Sequence, residues 1–326
     1  MVVRNLNLCM SEIQNKERIL EIDMAKGVFI LLMVIFHLGL FNTKYPHTAQ
    51  ILYAFFVSGF LLISGYLFSV NKEPSKFLKT IYGFVVPYIV FEIVYLLGVG
   101  LLGKSIGATN TFDGGVLALL GKVAVSPSGT YWYLHTMAIC ITVYYSVNRY
   151  VLKGLSGILV SSIILYALSI GISGFKWENI IYFITGALLR NANFAINEKL
   201  KSPVSILCFA LICIFADEIS RGSIVGLGLT LTSLGFLFDL KERIPKCISG
   251  FFAYIGRNSF GILIFSPLFT VFTKLYAPLF AFDNSAILWT VVSLSLVVSL
   301  CLLCARLFDR LSLSRIIVGK NIYSKL

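Results

Sequence analysis

The chain has 326 residues, 58% of them hydrophobic and only 13% charged. Soluble domains carry about 25% charged residues, so the composition excludes a soluble globular protein and points to an integral membrane one. The formal net charge of +12 does not argue for nucleic acid, because the basic residues fall in short loops between apolar runs, where they read as orientation signals.

In chain order, the first residues are polar (Arg4, Glu12, Lys16, Glu17, Arg18) and no small-residue cleavage site follows the first apolar run, so no removable signal peptide is expected. Ten apolar stretches then approach the length of about 20 residues that a membrane span requires. They cover roughly 25–42, 48–70, 80–102, 131–149, 154–172, 177–191, 203–219, 222–239, 250–275 and 285–307. Segment 112–126, with Gly114, Gly115 and Lys122, is too short and too polar to span and reads as part of a longer outer loop with a re-entrant piece. Placing the N-terminus in the cytoplasm puts 19 Lys and Arg on the inner side and 6 on the outer, leaving Lys26 and Arg257 within or at the edge of spans. That split supports ten spans with both termini cytoplasmic. The predicted fold is an all-α polytopic membrane helix bundle, with a cytoplasmic segment 1–24, a transmembrane domain 25–308 and a cytoplasmic tail 309–326. No internal repeat is visible, which weakens an inverted-repeat transporter reading. Most of the seven cysteines fall inside apolar runs and read as buried small hydrophobes rather than metal ligands, so no metal is expected.

The most informative residues lie in the first span. In Arg18-Ile-Leu-Glu-Ile-Asp-Met-Ala-Lys-Gly-Val-Phe-Ile-Leu-Leu-Met-Val-Ile-Phe-His37, everything between Gly27 and Phe36 is apolar. Helical spacing puts Lys26, Ile30, Met33 and His37 on one face, with Lys26 and His37 roughly 16 Å apart along the axis at about 1.5 Å per residue. Charged and titratable groups at membrane depth are costly and usually functional. His37 reads either as a histidine satisfied by a neighbouring helix or as a general base near pH 7. Asp23 and Lys26 read either as an interfacial ion pair or as an anion site, with Asp23 holding the lysine that faces a phosphate.

Further along, Glu92 sits mid-span and must pair, protonate or line a cavity. Trp132 and His135 open the fourth span, as aromatic-belt and interfacial residues or as site residues, and His47 belongs to an outer loop. Arg257 is placed either to snorkel or to bind phosphate. Lys72, Lys76 and Lys79 crowd one inner loop, by positive-inside bias or as a basic rim for a polyanionic donor.

Five stretches in this order resemble the acyltransferase 3 family of bacterial membrane acyltransferases. They are the acidic residue, basic residue and terminal histidine of the first span (Asp23, Lys26, His37), Ile63-Ser64-Gly65-Tyr66 closing the second, Lys76 and Lys79 followed by Pro87-Tyr88, Tyr131-Trp132-Tyr133-Leu134, and Tyr254-Ile-Gly-Arg-Asn-Ser259. Two positions depart from the family pattern. Lys26 stands where arginine is commoner, and Ser266 falls about where a late histidine is often found.

The resemblance implies acyl transfer from acyl-CoA, commonly acetyl-CoA, to a carbohydrate of a cell-surface or exported polysaccharide. It implies a multi-pass protein of the bacterial plasma membrane, with the lipid bilayer and a glycan acceptor as partners and no nucleic acid. With it, the catalytic positions are expected at His37, Asp23 and Lys26. By the placement of the residues themselves, Lys26, Lys76, Lys79 and Arg257 are expected to bind the donor, and Tyr66, Glu92, Trp132 and His135 the substrate. Two other classes stay open on the sequence: a transporter or flippase for a glycan or small metabolite, and a membrane subunit without chemistry of its own.

Overall fold

The structure, a computed structural model, describes residues 19–102, 114–215 and 219–324. The polar start of the chain, Lys104 and Lys325 lie outside the described residues. Every regular element among those described is helical.

In chain order these are α1 (Leu20–Phe36), α2 (Gly39–Lys44), α3 (Pro46–Leu67), α4 (Pro74–Leu102), α5 (Val116–Val125), α6 (Trp132–Tyr150), α7 (Gly154–Gly171), α8 (Trp177–Asn191), α9 (Ile196–Lys199), α10 (Pro203–Phe215), α11 (Ile224–Arg243), α12 (Lys246–Arg257), α13 (Ser259–Thr270), a 3-10 stretch Val271–Phe280, α14 (Ile287–Arg310) and α15 (Leu313–Ile317). Each expected span falls on helix. Six helical stretches, Pro46–Leu67, Pro74–Gly98, Gly154–Gly171, Ile224–Arg243, Ser259–Phe280 and Ile287–Arg310, are long and apolar enough to cross a bilayer. The other four expected spans fall on α1, α6, α8 and α10, which are shorter or more polar, with 17, 19, 15 and 13 residues.

Two boundaries differ from the sequence reading. The first helix does not run through 25–42. It starts at Leu20 and stops at Phe36, where the His37 N–H reaches the carbonyls of Met33 and Val34. The Asn42 side chain then takes the Phe36 carbonyl at 2.5 Å, so the freed helix end has a partner and the chain turns into α2. The ninth expected span, 250–275, is broken at Asn258 into α12 and α13. There the Asn258 amide donates to the carbonyls of Tyr254 and Ser324, and its oxygen accepts from the Ser324 N–H. The final described residues are thus stitched to the break. Segment 112–126 contains a ten-residue helix, α5, with Val116 and Leu117 on its open surface.

Contacts between helix ends define two faces. On one, the Tyr145 hydroxyl donates to the carbonyl of Lys72, Arg190 to that of Tyr66, and Lys241 pairs with Glu21 at 2.7 Å. On the other, Tyr45 reaches Ser285, Gly174 reaches Val125, and Arg221 reaches Tyr53 and Asn179. The first face carries the basic helix ends and is the one the charge count assigns to the cytoplasm.

Backbone contact at glycine fixes the two closest crossings. A Cβ on Gly27 of α1 would overlap the carbonyl of Phe252 in α12, and one on Gly256 would overlap that of Asp23. Gly65 of α3 and Gly186 of α8 meet the carbonyls of Phe183 and Leu62 in the same way. Small residues at such crossings let membrane helices approach without a hydrophobic driving force between them. One helix of each crossing, α1 and α3, lines the central cavity.

Candidate active site

A cavity of about 440 Å³ lies between α1, α3, α4, α6 and α13. Its wall on α1 is the stripe predicted from helical spacing: Lys26, Ile30, Met33 and His37, with Phe36 beside them. α3 adds Tyr53, Val57, Phe60 and Ser64, and α6 with its leading turn adds Gly129, Thr130, Trp132 and Tyr133. Ser259, Phe260 and Leu263 close it from α13. The lining is mostly apolar with a few placed polar groups, the usual composition of a small-molecule site.

At one end, Lys26 lies on the second turn of α1, its Nζ 3.7 Å from Oδ1 of the buried Asp23. The i, i+3 spacing makes that pairing local. At the other end, His37 Nδ1 lies 2.8 Å from the carbonyl of Met33. A carbonyl only accepts, so Nδ1 carries the proton and Nε2 the lone pair. The ring is thereby held in the tautomer a general base needs, by a residue four positions back on the same helix.

Tyr53 and Trp132 wall the His37 end, and behind them stands Arg221. Its guanidinium lies 5.1 Å from the Tyr53 ring and 5.9 Å from the Trp132 ring. It donates to the Tyr53 hydroxyl at 3.2 Å and to Ser58 at 3.4 Å, and also to Asn179. Read in sequence, Arg221 is only one of the outer-loop cations. Its site on α3, α6 and α8 is assembled entirely from residues distant in the chain, and no local spacing announces it.

Glu92 is fully buried, but it does not line the cavity. Its Oε1 accepts from the Ser128 N–H at 2.8 Å, which anchors the turn whose next two residues, Gly129 and Thr130, do line it. Gly129 holds φ +55°, a conformation glycine adopts without strain. The Thr130 hydroxyl and the Tyr131 hydroxyl donate to the carbonyls of Leu263 and Ile264, tying the turn to α13.

Several predicted residues stand elsewhere. His135 lies on the opposite side of α6 from the cavity, in a separate apolar groove of about 560 Å³ with Tyr88, Val123 and Ala124. Its Nε2 is 3.2 Å from the Ala124 carbonyl. The groove faces outward between α4, α5, α6 and α7 because α6 buries two faces against different neighbours. Tyr66 lies just past Ser64, and its carbonyl accepts from Arg190. Lys76 and Lys79 project from the first turns of α4 as exposed side chains. Arg257 ends α12 half-buried, two residues before the lining Ser259. Ser266 is buried in α13 away from the cavity.

The basic face is more concentrated than the loop charges suggest. Lys72 is half-buried over the Phe68 ring, 4.8 Å from its centroid. Burial, with the charges of Lys320 and Arg190 nearby, holds its ammonium below the usual lysine value of 10.5. Three cations from separate stretches of the chain, Lys72, Arg190 and Lys320, thus act on one another near the end of α3, and like charges held together attract an anion.

The family model Acyl_transf_3, described as an acyltransferase domain, matches residues 19–306. No curated protein and no solved structure gives a significant match.

Proposed function

The chain belongs to the acyltransferase 3 family, and from that premise we propose an O-acetyltransferase that passes an acetyl group from acetyl-CoA to a hydroxyl of a cell-surface or exported polysaccharide, in the bacterial plasma membrane. It is an integral membrane acyltransferase; the donor, the acceptor and the membrane are the proposed part.

One observation carries the reading. A single cavity joins Lys26, toward the basic face, to His37 and its free Nε2 near the opposite face. The polyanionic donor docks from the side where Lys72, Arg190 and Lys320 converge, with Lys76, Lys79 and Arg257 nearby, and its thioester arm enters past Lys26. The acceptor hydroxyl meets it at the other end, which Tyr53 and Trp132 wall. His37 Nε2 takes the hydroxyl proton as oxygen attacks the thioester carbon. The same proton then goes to the departing sulfur. A positioned base of this kind contributes about 10²–10⁴-fold.

The test compares cells lacking the protein with cells complemented by wild type or His37→Ala at matched membrane levels. Base-labile O-acetyl signal in the surface glycans, read by proton NMR, should vanish without the protein and return with wild type alone. Unchanged acetyl content, together with no transfer of label from acetyl-CoA by purified protein in nanodiscs, would overturn the reading in favour of transport.

A further inference from the structure

We propose that the strap 319–324 is part of the donor site, where it holds Lys320 beside Lys72 and Arg190 so that its ammonium meets the phosphates of the donor. This rests on the acyl-transfer reading. It names Lys320 as a donor-binding residue, with Asp309 and Asn258 as positioning residues. The strap lies beyond the family match, which ends at residue 306.

The strap leaves α15 through a left-handed turn. Gly319 holds φ +77°, and its N–H donates to the Arg315 carbonyl at 3.1 Å, which closes the short helix. Residues 321–324 form no regular structure, yet they are tied to the helices beneath them. The Asp309 carboxylate on α14 accepts from the N–H groups of Ile322 and Tyr323, at 3.0 and 2.9 Å. The Tyr323 hydroxyl lies 3.0 Å from that of Tyr254 on α12. Ser324 exchanges two hydrogen bonds with the Asn258 side chain, at 2.8 and 3.1 Å.

These ties set the strap across the Lys26 end of the cavity. Where it begins, Tyr82 of α4 donates to the Ile316 carbonyl, and a Cβ on Gly83 would come within 3.1 Å of the Val318 carbonyl oxygen. Where it ends, it sits on the break at Asn258. Gly83 precedes Phe84, and Asn258 precedes Ser259 and Phe260. All three of these neighbours line the cavity, with the two rings 6.3 Å apart. The break also lies beside Asp23, because Gly256 is in backbone contact with it.

Lys320 stands between the two ties, with an exposed side chain. Its charge and that of Arg190 act on Lys72. Among the described residues no carboxylate pairs with any of the three. Like charges repel, so a loose tail would carry Lys320 away from the other two. The anchors hold it there, and a phosphate group supplies the missing counter-charge.

The experiment uses the protein in nanodiscs and two donors with the same thioester, acetyl-CoA and S-acetylpantetheine, the second without phosphates. The readout is the ratio of kcat/KM for the first to kcat/KM for the second, in which a general loss of folded protein cancels. Lys320→Ala should lower the ratio about three- to fivefold, the most that an exposed charge pair contributes. The change should appear in acetyl-CoA KM rather than kcat, fade as added salt screens the charges, and be reversed in Lys320→Arg. A chain ending at Asn321 keeps Lys320, loses the anchors and should lower the ratio by a similar factor. Adding Lys320→Ala to it should lower the ratio no further, because changes that act through one contact do not add. Asp309→Asn, which leaves one strap N–H without its acceptor, replaces the shortened chain if that chain does not insert. An unchanged ratio and acetyl-CoA KM in Lys320→Ala or in the released strap, or a further fall in the combined variant, would overturn the proposal and leave acyl transfer standing. Absence of transfer from both donors by wild type would overturn both.

Discussion

The Nδ1–H of His37 donates to the carbonyl of Met33 at 2.8 Å, one turn back on the same helix. That bond leaves Nε2 as the only nitrogen able to accept a proton. His37→Ala and His37→Gln should each reduce kcat by about 10²–10⁴-fold with little change in donor KM, the effect of a lost general base. Single-turnover transfer at matched, stably inserted protein checks this. Full activity in both variants would remove His37 from the mechanism.

Arg221 ties Tyr53, Ser58, Asn179 and Trp132 together at the His37 end. Its interaction with the two rings is of the cation–π kind, about 0.5–2 kcal/mol according to exposure. Arg221→Lys keeps the charge and loses the planar fork. It should raise acceptor KM roughly tenfold and leave donor KM alone. Steady-state kinetics with each substrate varied in turn separates the two, and a shift in donor KM would show that Arg221 does not serve the acceptor end.

Lys72 gives a pH signature. Burial, with Lys320 and Arg190 close by, lowers its pKa from 10.5, so its ammonium loses a proton at a lower pH than an ordinary lysine does. If Lys72 helps to hold a polyanionic donor, donor KM should rise on the alkaline side as that charge is lost. Lys72→Arg, whose guanidinium stays charged, should flatten the rise. The measurement is donor KM against pH for both proteins, and an identical alkaline rise in the arginine variant would exclude Lys72 as its source.

The α1–α12 crossing has no room for a side chain at Gly27 or Gly256. The obstructing atoms are backbone carbonyls, which cannot rotate away. Overpacking of this kind costs about 1–3 kcal/mol for a small group and more for a larger one. Gly27→Ala should lower the thermal midpoint in detergent, and Gly27→Leu should abolish stable insertion. By contrast Gly39→Ala, where a Cβ meets nothing within 4 Å, should be neutral. Equal behaviour of Gly27→Ala and Gly39→Ala would mean that the two helices are not in backbone contact.

Much was legible in the residues. Low charge and long apolar runs required membrane helices, since backbone groups in lipid must be satisfied within the segment. The spacing of Lys26, Ile30, Met33 and His37 placed all four on one stripe, and the structure lines one cavity with them. That prediction works because a helix repeats every 3.6 residues, so positions within one helix share a face whatever surrounds it.

What the sequence leaves open is which neighbour each stripe meets. Glu92 and His135 are both polar groups in apolar runs, yet one anchors the Ser128 turn and the other borders a separate groove. Arg221 resembles any outer-loop cation until the chain brings Tyr53, Asn179 and Trp132 around it. Ser64 and Tyr133 belong to different motifs and become a hydrogen-bonded pair only through the packing of Phe60 between Phe29 and Tyr133. Periodicity within a helix is a local property and was fixed by composition and spacing. The order, tilt and closeness of helices depend on contacts between distant residues, here the glycine crossings of α1 with α12 and of α3 with α8, and those only the tertiary structure decided.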